Sequence, residues 1–153
     1  MKRILALTLC IAMMLLSFAS CKKIVEEGDV TVVVENGEGK YEVYKTYLEN
    51  VKNKTEGAFG VLENLQERED DPLHLVCENG TYGAFIKEIG SIKENASEGA
   101  YIMIYTSVAS DSYADAPTVT YGDALLYSAG VGANMLTVEA GTILLFRLEV
   151  YSA

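Results

Sequence analysis

The 153-residue chain has no tryptophan, one histidine, two prolines and three cysteines. The cysteines stand at 10, 21 and 77, too few and too scattered for a disulfide scaffold, and a chain of this length buries a core without such staples. With a single histidine beside them, the set also falls short of a structural zinc site, which draws on about four Cys or His ligands. Basic residues are scarce: 12 Lys and Arg against 22 Asp and Glu leave a net charge of −10. A phosphate-backbone partner is held by clustered basic side chains, so nucleic acid is excluded. Beyond one apolar run near the start, no stretch of about 18 or more apolar residues follows to cross a bilayer. What remains is 50% hydrophobic and 22% charged, a globular composition for which one domain is expected.

That one apolar run spans residues 4–18 and follows Lys2 and Arg3. A charged start, a short apolar stretch and small residues after it read as a secretory signal over residues 1–20. Fifteen helical residues rise about 22 Å, short of the roughly 30 Å hydrocarbon core. Leu16-Ser17-Phe18-Ala19-Ser20-Cys21 resembles the bacterial lipobox. The resemblance implies that Cys21 is acylated on sulfur and becomes the mature N-terminus. Each buried methylene of such an anchor adds about 0.8 kcal/mol of membrane affinity. Residues 21–28 form the tether, and the eight extended residues 22–29 reach at most about 28 Å. The expected location is therefore the outer face of the bacterial cytoplasmic membrane. Loss of Lys2 and Arg3 leaves 10 basic and 22 acidic residues, a net charge of −12.

The domain expected over residues 29–153 opens with the β-branched run 30–35, ended by Asn36-Gly37, and a second strand-like run over 41–48. Together they predict a hairpin. Ala58, Val61, Leu62 and Leu65 fall at helical spacing and predict an amphipathic helix within residues 55–70, before Pro72. Gly57 and Gly60 lower its propensity near the start, and with neither a lysine nor a strand-to-helix context they do not make a phosphate loop. Strand patterns follow at 73–78, 83–89, 100–106, 118–121, 124–127 and 142–151. In the last, Leu144, Phe146, Leu148 and Val150 alternate onto one face, taken as the core face. The order hairpin, helix, strands predicts an α+β fold with a β-grasp-like mixed sheet clasping one principal helix.

Tyr82-Gly83-Ala84-Phe85-Ile86-Lys87-Glu88-Ile89-Gly90-Ser91-Ile92 and Glu98-Gly99-Ala100-Tyr101-Ile102-Met103-Ile104-Tyr105, with Gly130-Val131-Gly132, Val138-Glu139-Ala140-Gly141 and Phe146 later, resemble a bacterial domain family of unknown function related to the C-terminal domain of transcobalamins. The resemblance implies a corrinoid, cobalamin, as a possible ligand. Transcobalamins enclose it between a helical barrel and this type of domain, so a corrinoid reading requires a partner. Ile102 stands where many members carry Trp, and Thr106-Ser107 replaces their Asn-Gly turn. The isolated domain is therefore expected to bind cobalamin weakly or not at all.

His74 and Cys77 lie three apart in a strand-like run and point to opposite faces, which disfavours a nucleophilic dyad. The segment 111–115 carries two aspartates without the spacing or glycine of a calcium loop. Asn53, Asn95 and their neighbours spell glycosylation sequons, as does Asn79, and are read as turn and cap residues. The stretch 107–117 is long, acidic and carries an aromatic, and loops of that kind are often functional. Tyr105, Thr106, Ser107, Asp111, Tyr113 and Tyr121 are therefore the candidate ligand-binding residues. Tyrosine offers a large contact area, few rotors and a hydroxyl. With no catalytic constellation and no cofactor motif, the expected function is a non-enzymatic module that binds a small molecule, glycan or surface protein. The alternative is a corrinoid-binding accessory domain.

Overall fold

The computed structural model describes residues 27–37, 39–80 and 83–151. The signal segment, Cys21 and Tyr82 lie outside them. The first β-branched run forms β1 (Val30–Glu35), which pairs antiparallel with β2 (Tyr41–Thr46) from Val30 opposite Thr46 to Glu35 opposite Tyr41. Their connection is longer than a two-residue Asn-Gly turn: the Asn36 N–H reaches the Lys40 carbonyl at 3.2 Å.

The helix, α1 (Gly57–Gln66), follows a 3-10 turn at Lys54–Glu56 and buries Ala58, Val61, Leu62 and Leu65. It ends earlier than the acidic run after it had suggested. Carboxylates at a helix C-terminus oppose its dipole, and the residue before a proline disfavours helical backbone. Asp71, which precedes Pro72, takes a left-handed φ of 51°. The two glycines that weaken the helix have a packing reason. Gly57 has φ 53° and any Cβ there would strike the Leu136 carbonyl, while one at Gly60 would strike the carbonyl of Asn53.

The remaining strands are β3 (Leu75–Gly80), β4 (Gly83–Ile89), β5 (Ile92–Lys93), β6 (Ala100–Thr106), β7 (Thr118–Tyr121), β8 (Ala124–Ser128) and β9 (Ile143–Val150). They make a six-stranded mixed sheet in the order β2-β1-β9-β6-β8-β7 and a three-stranded sheet β3-β4-β5. β9 lies inside the larger sheet, parallel to β1 and antiparallel to β6. The smaller sheet and α1 cover one face of the larger, where Val32, Val34, Leu144 and Phe146 meet Leu62, Leu65, Ile86 and Ile89. On the opposite face Val33, Tyr105, Leu126 and Leu145 form a second core. The larger sheet curls: Tyr41 on β2 and Tyr121 on β7, at opposite ends of the strand order, meet edge to face with ring centroids 5.3 Å apart.

This double-sided burial corrects the single core face expected for β9. Leu144 and Phe146 are buried as expected, but Leu145 is buried on the other side, and Val150 is 68% exposed. The register with β1 stops at Arg147, so among the described residues the far end of β9 pairs only with β6. His74 precedes β3 instead of lying within it, and the two-residue β5 escaped the strand pattern.

Candidate functional site

The six candidate residues do not converge on one surface. Tyr105 is 2% exposed within the second core, and its hydroxyl donates to Glu149 Oε1 at 2.6 Å. Burial and that carboxylate hold its phenol far above the ordinary tyrosine pKa. Tyr121 packs against the same core. Thr106 is fully buried, and its Oγ1 accepts the Val108 N–H at 3.1 Å. Ser107 Oγ accepts the Ile143 N–H at 3.0 Å. Asp111 accepts from the Thr137 N–H at 2.6 Å and its hydroxyl at 3.0 Å. The backbone straps the loop further, with Gly130 N–H on the Asp111 carbonyl at 2.8 Å and Ser128 N–H on that of Pro117 at 2.8 Å. Of the six, Tyr113, at 53% exposure, presents its side chain to solvent.

His74 and Cys77 have separate surroundings. His74 Nε2 lies 3.0 Å from Glu88 Oε2, and Lys93 holds the other Glu88 oxygen at 2.6 Å. Lys93 and then His74 lower the Glu88 pKa. Burial, with Glu63 adding to it, raises the Cys77 thiol, which keeps it protonated and a poor nucleophile. Among the described residues no group of three or more His, Cys, Asp or Glu is arranged to hold a metal ion.

A cleft of about 680 Å³ opens between β4 and β6. β6 pairs with β9 along its whole length, yet on its other edge it meets β8 only at Tyr105 and Thr106. Asn95 bridges to Ala100 at the near end of that edge, and the Ala129 N–H reaches the Ile104 carbonyl at 2.9 Å at the far end. Between them no strand among the described residues pairs with that edge of β6, and the cleft opens there. Ile102 and Ile104 line it from the sheet, Ala84 to Ile86 from β4, and Glu94 from the turn after β5. Asn134 holds the β4 wall in place: its Oδ1 accepts the Ala84 N–H at 2.9 Å while its Nδ2 donates to Glu56 at 2.7 Å. Phe85, 52% exposed, shares the rim with the exposed rings of Tyr101 and Tyr151, whose centroids are 6.4 Å apart.

No protein-family model and no curated protein matches the chain. Solved structures do. A protein of Ruminococcus gnavus ATCC 29149, described as a putative metal binding protein, is 19% identical with a TM-score of 0.55, over 82% of this chain and all of that one. Haptocorrin in complex with Cbi is 18% identical with a TM-score of 0.52 over 80% of this chain. This chain spans a quarter, 25%, of the haptocorrin chain. At these identities the likeness is one of fold, and it supports the transcobalamin-like resemblance.

Sequence reasoning missed the cleft because it followed the longest loop, whereas the cleft arises where pairing stops. One signal was present: Phe85 and Tyr101 are large aromatics that their strands leave facing solvent. The loop is not remote from this rim. Tyr113 packs beside Gly130, two residues before the cleft-lining Gly132, and the Tyr151 phenol is raised first by its hydrogen bond to Glu149. The site can receive an apolar or aromatic group against its rings and offers backbone polar groups from β6 at its floor.

Proposed function

We propose that the protein is a non-enzymatic binding module, held by a lipid on Cys21 at the outer face of the bacterial cytoplasmic membrane, and that it takes its ligand in the cleft between β4 and β6. The observation that carries the site is the aromatic-rimmed cleft itself. Its volume of about 680 Å³ falls in the range of small-ligand pockets. The parallel β1 and β9 beside a single covering helix support the β-grasp-like reading of the fold. Tyr113 adds an exposed ring beside Gly130, two residues before the cleft-lining Gly132.

A corrinoid-binding accessory role is the second reading. It is favoured by the likeness to haptocorrin in complex with Cbi and by the fact that this chain spans a quarter of that protein, so the rest of an enclosure would come from a partner. A thermal-shift screen of the full chain against corrinoids, glycans and peptides tests both readings, since a ligand that prefers the native state raises the melting temperature. Tyr101→Ala and Phe85→Ala should abolish the rise. A ligand that stabilises both variants as much as the wild type would place the site elsewhere.

A further inference from the structure

Antiparallel strands direct the N–H and C=O of alternate residues to opposite edges. On β6, Tyr101 and Met103 face Glu149 and Arg147 of β9, in line with the Tyr151 N–H on the Gly99 carbonyl at 2.9 Å. Ala100, Ile102 and Ile104 therefore direct theirs to the cleft edge. Ala100 is satisfied in both directions by Asn95, at 2.9 and 3.0 Å, and the Ile104 carbonyl by Ala129 at 2.9 Å. The Ile102 N–H, the Ile102 C=O and the Ile104 N–H have no partner among the described residues. The cleft floor is thus a donor, an acceptor and a donor at strand spacing.

We propose that the cleft binds a short peptide of two to three residues, extended along the open edge of β6. This rests on the cleft being the ligand site. A peptide backbone supplies the complementary acceptor, donor and acceptor, as in strand addition generally. Asn95 and Ala129 close the edge at both ends. The four rises from Ala100 to Ile104 cover about 13 Å, room for about three residues and not for a long strand. The rings of Phe85 and Tyr101 favour an apolar side chain on the peptide. Its free amino end suits the Glu94 wall, where Lys87 is shared between Glu94 at 2.9 Å and Glu78 at 3.7 Å, leaving one negative charge in excess.

The test uses the tripeptide Ala-Phe-Ala, the same peptide methylated on the nitrogen of its C-terminal Ala, and cobalamin, each titrated into the ¹⁵N-labelled full chain. The tripeptide should shift the Ile102 and Ile104 amide signals and slow their exchange. Methylation removes the donor that meets the Ile102 carbonyl and should weaken binding about tenfold or more. Ile102→Pro, which deletes one floor donor, should also weaken it, with the chemical-shift spectrum reporting whether that variant folds. Equal affinity for the methylated peptide, or Ile102 and Ile104 amides unmoved at saturation, would overturn the inference. Cobalamin binding in the cleft with no peptide binding at millimolar concentration would overturn it too while leaving the cleft as the ligand site. If neither probe binds there, both readings fall.

Discussion

Asp111 shows how a residue picked for its chemistry can have a different task. Its carboxylate holds the Thr137 N–H and hydroxyl, tying the long loop to the segment after Asn134. Asp111→Ala should lower stability by about 2 kcal/mol, the scale of hydrogen bonds to a charged group, as read from denaturant unfolding. Tyr105 makes a pH prediction. Its phenol is raised in the folded state by burial and Glu149, so its contribution to stability is complete below the ordinary tyrosine pKa of about 10 and is lost as the pH climbs above it. Melting curves should show stability falling from about pH 10 upward, and the fall should be shallower in Tyr105→Phe, which has no proton to lose. The sequence named both residues without their roles, because hydroxyls and carboxylates look alike whether they face a ligand or a backbone amide 26 residues away, as Asp111 does.

At the level of elements, alternation made most strands legible, and the spacing of Ala58, Val61, Leu62 and Leu65 located α1. Alternation does not report how many faces are covered. That is why Leu145 is buried and Val150 is not, although both lie on a strand with one regular pattern. Phe146→Ala should cost about 3–5 kcal/mol, since its side chain is fully buried in the larger core, whereas Val150→Ala should change stability by less than about 0.5 kcal/mol. Gly60 gives a sharper contrast. Helix propensity alone would make Gly60→Ala stabilising by about 1 kcal/mol. The Asn53 carbonyl leaves no room for a methyl, so the substitution should destabilise instead. Equilibrium unfolding of these three variants separates propensity from packing. The cleft was illegible for a related reason. It exists because β8 meets only the end of β6, and a register offset between strands far apart in sequence leaves no local mark.

For the whole molecule, the proposed lipid anchor would hold the curled sheet and its cleft close to the membrane. The anchor makes its own prediction: Cys21→Ala should move the protein from the membrane fraction to the soluble one, whereas a variant that still sediments with membranes would contradict lipidation at that residue. The net charge of −12 that remains without Lys2 and Arg3 keeps the domain itself from supplying that attachment to an anionic surface. Ligand binding in the cleft is checked by the melting temperature of the full chain with Ala-Phe-Ala and with cobalamin, compared between wild type and Tyr101→Ala. The peptide should raise the wild-type melting temperature and leave that of Tyr101→Ala unchanged. No rise with either probe, or an equal rise in Tyr101→Ala, would contradict it.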